Sequence, residues 1–501
     1  MIPLVTALSM PAAAAERWST DRAWAWHEAQ PRLLGFNYVP STAVNDVAIW
    51  QADTFDPETI DRELGWAAEV GFNTLRIFLQ YVVWEADPDG FLQRLERFLS
   101  LAARHGLSVM PVLFDDCAFA GQDPIVGPQE QVTPGTHNSR WAPSPGHARV
   151  RDRAAWPKLR EYVRAVVAAH RDDPRVLAWD LYNEPGNSGM GNDSLPLVEA
   201  AFAWAREAGP RQPLTVGVWT EGLPDLNRVQ VEQSDVISFH NYGPVDAVRA
   251  DIQAKRVFAR PLICTETIAR TLGSNWASHL PLFREQRVGC YAWGLVAGQT
   301  QTLYPWGSEA GAPEPVLWFH DLFRPDGTPF DPGELITIGR NVGKLQVRAI
   351  WPTSEAVPLQ WRYTTEAPPE RWVAPDFDDS AWQTGNAPFG VEEPQFSRHP
   401  RTEWRTGDLW LRRTFTLDAV PTGGLYWWLY HDDDAELYLN GVCVCRAAGY
   451  TATYAGLPLS AEAKQALRVG ENLLALHVTQ HWGGQYADVG LVEVTRGQWS
   501  R

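Results

Sequence analysis

The 501-residue sequence predicts an α/β fold: a (β/α)8 TIM barrel followed by an antiparallel β-sandwich of the jelly-roll type. Between about residues 30 and 345, eight continuous apolar runs alternate with helical periodicity, which is typical of a parallel barrel. After about residue 350, helical stripes nearly vanish and short alternating runs are separated by turn residues, which indicates an antiparallel sandwich. The chain is also too long for a single hydrophobic core, so two or more domains are expected. We therefore expect a leader at 1–16, the barrel at 17–348 and the sandwich at 349–501.

The predicted barrel strands are the apolar runs at residues 32–38, 73–79, 107–114, 176–184, 213–219, 236–242, 261–266 and 289–296. Helical stripes fit between most of them. The first begins at Asp56–Pro57, repeats apolar side chains every four residues and stops at Gly71. Residues 115–155, rich in Gly, Pro and polar side chains, are more than a connection requires. We expect them to form an extended loop at the active face.

The amino-acid composition excludes some classes of binding partner and favours others. A net charge of −17 argues against nucleic acid or anionic lipid as a partner, and no apolar segment is long enough to cross a membrane. The 25 tryptophans must mostly be packing residues, but flat aromatic faces also stack on sugar rings. The composition is that of an acidic, solvated protein that handles a neutral ligand.

The N-terminal segment resembles a secretory leader. A short apolar run ends in Ala12–Ala15, like a small-residue cleavage site, although no basic region precedes it. We expect a secreted or periplasmic protein.

Polar and aromatic residues concentrate at the carboxyl ends of the predicted strands, the end that faces the active site in such barrels. In chain order they are Asn37, Arg76, Asp115 with Asp116, Asn183 with Glu184, Trp219, His240 with Tyr242, Glu266 and Trp293. A single glutamate at a strand end is more often a surface or capping residue. Glu184 and Glu266, however, end the fourth and seventh strands, which lie across the barrel mouth from each other. A retaining glycosidase needs two such carboxyl groups, roughly 5–5.5 Å apart, one as acid/base and one as nucleophile.

The neighbouring residues fit supporting roles. Arg76 is suited to keeping a nucleophilic carboxylate ionised, because a nearby cation lowers a carboxyl pKa. Tyr242 is suited to donating to the same carboxylate, and Asn183 to binding the sugar 2-hydroxyl. His240 would orient the acid/base or bind substrate, and Trp293 would lie under the sugar ring. Each of these residues also has a purely structural interpretation as an ion-pair partner or core residue.

The motifs LYNEP at the fourth strand, HNY at the sixth and TE at the seventh, with an Arg on the second and a Trp on the eighth, resemble clan A glycoside hydrolases, family 5 above all. The resemblance covers residues 30–345. It implies Glu184 as acid/base with Asn183 as its companion, and Glu266 as nucleophile. It also implies Arg76, His240, Tyr242 and Trp293 as support around the two carboxyl groups. Asn37, Trp219, Asp115 and Asp116 are further candidates for binding substrate, from their positions at the strand ends. The implied reaction requires neither a metal nor an organic cofactor.

One departure from that family is visible at the third strand, where many members carry a histidine and this chain has Phe114-Asp115-Asp116-Cys117. Two acids suit a closed pocket that grips sugar hydroxyls, which favours exo action on plant or microbial polysaccharide or oligosaccharide. In the long loop that follows, His137, Asn138, Arg140 and Trp141 are further candidates for the site.

Several alternatives stay open at this stage. They are an endo-acting xylanase, mannanase or cellulase, a furanosidase, a transglycosylase, and a non-catalytic carbohydrate-binding protein on the same scaffold. The presence of both carboxylates argues against the last. The sequence identifies neither the sugar nor the oligomeric state.

The C-terminal segment resembles the galactose-binding-like jelly rolls attached to many glycosidases, through FDDSAW, DLWLRRTF, HDDDAELYLNG and GENLLALHV. These motifs indicate fold more than ligand. Trp404, Trp482 and Tyr486 are candidates for sugar contact, but a wall beside the barrel is an equal alternative. Asp378 or Asp379 would join a structural calcium site, because that ion takes oxygen ligands.

Overall fold

A computed structural model describes residues 16–355, 357–393 and 398–496. Apart from Glu16, the predicted leader lies outside the described residues, and so do residues 497–501.

Eight parallel strands form the first domain and confirm the predicted (β/α)8 barrel. In the sheet they follow the order β5-β4-β3-β2-β1-β8-β7-β6, and a parallel bridge between Val218 and Phe239 closes the ring between β5 and β6. The strands are β1 (Leu34–Asn37), β2 (Thr74–Phe78), β3 (Ser108–Val112), β4 (Trp179–Asp180), β5 (Leu214–Thr215), β6 (Ile237–His240), β7 (Leu262–Thr267) and β8 (Gly289–Trp293).

The helices surround this ring and begin and end at residues with the expected chemistry. The Asp56 side chain accepts from the Thr59 amide at the start of α3, Pro57 takes the first helical position, and Gly71 ends the helix at a φ of 122°. The barrel helices are α1 (Thr20–Ala29), α2 (Asp46–Trp50), α3 (Pro57–Val70), α4 (Tyr81–Ala86), α5 (Pro88–Arg104), α6 (His147–Arg151), α7 (Trp156–Ala169), α8 (Leu195–Ala208), α9 (Pro224–Gln233), α10 (Val245–Lys255), α11 (Trp276–Gln286) and α12 (Pro332–Asn341). None of the helices among the described residues is both long enough and apolar enough to span a bilayer.

Two connections of the barrel are much longer than the rest, and both lie at the carboxyl ends of the strands. Loop 113–146 joins β3 to α6, and loop 294–331 joins β8 to α12. The first of these overlaps the predicted excursion at 115–155. Loops of this length in compact domains are usually functional.

The second domain is an antiparallel β-sandwich, as predicted. One sheet has the strand order β11-β10-β14-β19-β16-β17 and the other β13-β12-β20-β15-β18, with β9 paired to β20. The elements are β9 (Leu345–Trp351), β10 (Leu359–Thr364), β11 (Gln383–Ala387), β12 (Phe389–Gly390), β13 (Thr402–Glu403), β14 (Asp408–Leu417), β15 (Gly424–Asp432), β16 (Asp434–Leu439), β17 (Val442–Ala447), β18 (Ala455–Pro458), α13 (Ala461–Ala466), β19 (Gly470–Thr479) and β20 (Tyr486–Arg496).

The sandwich core draws on the inner faces of both sheets, with Leu411 and Leu476 from one sheet and Trp427 and Val489 from the other. Its contact with the barrel is close at α12. The Gly456 amide donates to Asp331 Oδ1 over 3.0 Å, and a Cβ placed on Gly333 would lie 2.4 Å from the Gly456 nitrogen. Glycine at 333 therefore permits the two domains to approach each other.

The candidate ligand residues of the sandwich have different environments. Trp404 and Tyr486 are buried, whereas Trp482 is 76% exposed. Asp379 Oδ2 accepts from Arg412 Nε over 2.7 Å, and Asp378 Oδ1 accepts from the Ser380 amide. Because a guanidinium already occupies Asp379, this pair does not present the oxygen-rich ligand set of a calcium site, and that site stays a prediction.

Candidate active site

Strand register brings the predicted site residues to one end of the barrel. Asn37 pairs with Arg76 of β2 and with Trp293 of β8, and His240 of β6 pairs with Glu266 of β7. Glu184 lies four residues beyond the end of β4 and has a φ of 40°. A non-glycine residue in this left-handed region is strained, and such residues cluster at functional sites.

Glu266 is held by one cation and one hydroxyl. Arg76 Nη1 donates to Glu266 Oε1 over 2.7 Å, and the Tyr242 hydroxyl donates to Oε2 over 2.8 Å. The carboxylate itself is only 4% exposed. Both contacts favour the ionised form, which is the form that a nucleophile requires.

Arg76 is fully buried and organises the floor of the site. Its guanidinium donates to Asp180 Oδ2 over 3.0 Å, to Asn37 Oδ1 over 2.8 Å and to Asn183 Oδ1 over 2.7 Å, besides Glu266. Asn37 in turn donates to the main-chain oxygens of Thr265 and Ala292. Two buried carboxylates, from Asp180 and Glu266, thus share one buried cation.

Glu184 is held by neutral groups. His240 Nδ1 and Glu184 Oε1 share a hydrogen bond of 2.8 Å, and Asn187 Nδ2 donates to Oε2 over 2.5 Å. The Cys117 thiol donates to the same Oε2 over 3.4 Å. Burial lowers the pKa of His240 to about 4, so the imidazole that faces Glu184 is neutral.

The two glutamates and His240 form one compact group, in which an oxygen of each glutamate and a nitrogen of His240 lie within 4.8 Å of one another. Burial raises the pKa of both carboxyl groups. Only Glu266 touches the Arg76 guanidinium, so we expect the pair to lose its first proton from Glu266 and to retain the second on Glu184. With that order of proton loss, an ionised and a protonated carboxyl group lie side by side.

Asp115 and Asp116, predicted to bind substrate, do not line the cavity. Asp115 accepts from Asn183 Nδ2 over 2.9 Å and from Trp141 Nε1 over 2.6 Å, and burial raises its pKa to about 7. Asp116 accepts from the Tyr182 hydroxyl and from the Gly186 amide, each over 2.7 Å. Both carboxyl groups therefore position other parts of the site, and Asp116 anchors the turn that follows Glu184.

A cavity of about 580 Å³ lies above these residues. Of the predicted site residues, Asn183, Glu184, Trp219, His240, Tyr242, Glu266 and Trp293 line it, whereas Asn37, Arg76, Asp115 and Asp116 lie behind its wall. His137, Asn138 and Trp141 line it from loop 113–146, and Trp306 and His320 line it from loop 294–331. Arg140 instead points to Glu130 and to the Gln131 main-chain oxygen. An aromatic-rich cavity with a few converging polar groups is typical of a small-molecule binding site.

Three groups at the centre were not found from the sequence: Asp180, Cys117 and Asn187. Asp180 had a detectable signal, because a carboxylate inside an apolar strand needs a buried cation and Arg76 is a basic residue inside another apolar strand of the barrel. Cys117 and Asn187 lie in turns, and their approach to Glu184 depends on how those turns pack.

The sequence is similar to known carbohydrate-active proteins. Residues 45–288 match the family described as Cellulase (glycosyl hydrolase family 5). Over 134 residues the chain is 25% identical to mannan endo-1,4-beta-mannosidase F of Aspergillus clavatus. That match covers 26% of this chain and 28% of the relative, so the chain spans under a third of that protein's length.

Solved structures also match, all at low sequence identity. A GH5_18 protein of Streptomyces cattleya in complex with GlcNAc is 16% identical, with a TM-score of 0.44 over 63% of this chain and 79% of that one. An exo-beta-1,4-mannosidase of Opitutaceae bacterium strain TAV5 is 18% identical, with a TM-score of 0.43 over 62% and 59%. A family 5 mannosidase of Rhizomucor miehei is 14% identical, with a TM-score of 0.42 over 63% and 94%.

Proposed function

The barrel of this chain is a clan A glycoside hydrolase domain of family 5, and from that premise we propose that the protein is a retaining β-glycoside hydrolase acting by double displacement. The observation that carries the proposal is the pair of carboxyl groups. Oxygens of Glu184 and Glu266 lie within 4.8 Å of each other, which suits the separation of roughly 5–5.5 Å in retaining enzymes. Inverting enzymes keep a wider gap of about 6.5–9.5 Å, because a water must fit between the carboxylate and the sugar.

In the first step, Glu266 attacks the anomeric carbon while the Glu184 carboxylic acid protonates the departing glycosidic oxygen. The bond between that oxygen and the anomeric carbon breaks, and a glycosyl ester to Glu266 forms. In the second step, the Glu184 carboxylate takes a proton from water, and the resulting hydroxyl displaces Glu266. Asn183 supports the reaction by binding the 2-hydroxyl, and Trp293 by packing under the ring.

For the substrate we propose a β-linked mannose-containing oligosaccharide or polysaccharide, attacked from its end. The sugar is suggested by the relative named as a mannan endo-1,4-beta-mannosidase. The exo mode is suggested by the two long loops over the barrel mouth, residues 113–146 and 294–331. The sequence favours a closed pocket because of Asp115 and Asp116, but neither residue lines the cavity. The exo mode therefore does not rest on them.

A panel of aryl β-glycosides tests the activity, and proton NMR of the first product tests the stereochemistry. We expect turnover of the β-mannoside above the glucoside, xyloside and arabinofuranoside, with the β-anomer released first. Release of the α-anomer first would mean inversion and would overturn the mechanism. A complete lack of turnover across the panel, with sugar binding retained, would instead indicate the non-catalytic carbohydrate-binding alternative.

Sizing the products from mannan, xylan, glucan and arabinan separates the remaining alternatives. A steady release of monosaccharide is the expected exo pattern. A mixture of oligosaccharides would identify an endo-acting hemicellulase, and arabinose or galactose as the product would identify a furanosidase.

Export from the cytoplasm is a further part of the proposal and rests on the small-residue pattern Ala12–Ala15 alone. Fractionation of cells expressing the full chain, followed by N-terminal sequencing, tests it. Recovery of an unprocessed chain in the cytoplasm would contradict export.

A further inference from the structure

The two long loops of the barrel are joined to each other above the site. Residues 133–138 of the first loop meet residues 300–311 of the second, and we call this contact the clasp. Its hydrogen bonds run from the Asn138 amide to Thr300 O (2.7 Å), from His137 Nδ1 to Tyr304 O (2.7 Å), from the Gly311 amide to Pro134 O (2.7 Å), and through the side chain of Gln301.

Gln301 is the centre of the clasp, because its side chain uses both ends to hold the other loop. Its Oε1 accepts from the Gly135 amide and its Nε2 donates to Thr133 O, each over 2.9 Å. The contact is tight around Gly135, which has a φ of 75° and where a Cβ would lie 2.5 Å from the Ala312 nitrogen. A larger residue at 135 therefore cannot enter without separating the loops.

A row of rings continues from the clasp down to the catalytic centre. The His137 ring lies 6.3 Å from Trp306, and Trp306 lies 5.1 Å from Tyr242 in an edge-to-face contact. The Tyr242 hydroxyl donates to Glu266, so the row ends on the proposed nucleophile. Loop 113–146, loop 294–331 and Tyr242 thus form one continuous wall.

The strand order determines which side of the substrate this wall covers. Between β3 and β8 the sheet contains only β2 and β1. The segment after β1 contacts both loops, because Asn45 Nδ2 donates to Arg140 O and the Gln299 amide donates to Ser41 O, each over 3.0 Å. The clasp therefore lies on the side of the barrel mouth above β1 and β2. Glu184 follows β4, on the other side of β3. Because the acid must lie beside the leaving-group oxygen, the leaving group lies on the Glu184 side and the remaining glycone points toward β1 and β2.

We propose that the clasp closes the glycone side of the cavity and confines the enzyme to non-reducing chain ends, with Gln301 as the residue that sets this specificity. The inference rests on the proposed function and adds the determinant of its exo mode. Gln301 lies outside the residues that line the cavity, so it acts by holding the loops together and not by touching substrate.

The test compares two substrates: an aryl β-mannobioside, and the same compound carrying a 4,6-O-benzylidene group on its non-reducing sugar. The wild-type enzyme should cleave the free compound and leave the blocked one. Gln301→Ala removes three hydrogen bonds of the clasp, to Gly135, Thr133 and Thr136, and we expect the ratio of kcat/KM for blocked over free substrate to rise about tenfold or more. Gly135→Ala should act in the same direction.

Gln129→Ala is the matched control. Gln129 also donates to two main-chain oxygens, Ile125 O and Gly127 O, within its own loop. Its Oε1 accepts from Asn45 Nδ2 over 2.9 Å, so it makes no contact with loop 294–331 among its hydrogen bonds. The Gln129→Ala variant should leave the ratio of kcat/KM for blocked over free substrate unchanged. Thermal unfolding of each variant checks that it is folded.

Two results would overturn the proposal: a wild-type enzyme that cleaves the blocked compound as fast as the free one, or an unchanged ratio in folded Gln301→Ala and Gly135→Ala variants. An aryl β-monoglycoside, chosen as the best substrate of the panel, is measured alongside. If the wild type fails on every unblocked glycoside, the proposed function itself is wrong, which is a different outcome from a failure of the clasp.

Discussion

The two carboxyl groups that we propose as catalytic, those of Glu184 and Glu266, lie side by side but in different electrostatic surroundings. Glu266 contacts a buried guanidinium, from Arg76, and a tyrosine hydroxyl. Glu184 contacts a neutral imidazole, an amide and a thiol. Both are buried, and burial raises both pKa values, so the difference between them comes from the one cation that only Glu266 touches. This difference is the basis on which we assign the role of nucleophile to one glutamate and the role of acid to the other.

The sharpest way to break this comparison is to remove each carboxyl group in turn. We expect Glu266→Ala and Glu184→Ala to lose activity on natural linkages by on the order of 10⁴-fold or more. On an aryl glycoside with a good leaving group, azide should restore turnover to Glu184→Ala with the β-glycosyl azide as product. If azide instead restored turnover to Glu266→Ala and gave the β-glycosyl azide, Glu266 would be the acid/base and Glu184 the nucleophile.

The surroundings of Glu266 are tested next by Tyr242→Phe, which removes one donor and keeps the ring. Without that hydroxyl the Glu266 carboxylate is less stabilised, so its pKa should rise and the acidic limb of the kcat/KM profile should move to higher pH. We expect kcat/KM at the optimum to fall about 10- to 100-fold. A shift confined to the alkaline limb would contradict the assignment of Glu266 as the ionised partner.

The surroundings of Glu184 are tested by Asn187→Ala, for which we expect a smaller effect. Asn187 donates to Glu184 Oε2, and its loss should raise the pKa of Glu184 and move the alkaline limb to higher pH. Because the acid stays present, we expect kcat/KM at the optimum to change by less than about tenfold. Tyr242→Phe and Asn187→Ala are therefore measured together. If both variants moved the same limb of the kcat/KM profile, the two limbs would not report two separate carboxyl groups.

The barrel was predictable because its strands are continuous apolar runs, and the strand-end rule placed Glu184 and Glu266 correctly at one mouth. The rule did not hold for every polar residue. Asp116 follows its strand like the others, yet its carboxylate turns away to Tyr182 and Gly186, which are distant in sequence and near only after folding.

The parts that sequence could not supply are those made by loops and turns. Asn187 and Cys117 reach Glu184 from two separate turns, and Gln301 joins two loops more than 160 residues apart in sequence. None of these residues belongs to a periodic pattern, so no spacing in the chain indicates their contacts. Asp180 is the exception, since its charge inside an apolar strand required a partner such as Arg76.

The most direct test of the account is to trap the covalent intermediate. A 2-deoxy-2-fluoro aryl glycoside of the preferred sugar should inactivate the enzyme in a time-dependent manner, because the fluorine slows the second step. Peptide mass spectrometry should then find the sugar on Glu266, within the sequence LICTET. A label on Glu184, or turnover with inversion and no label at all, would contradict the central claim.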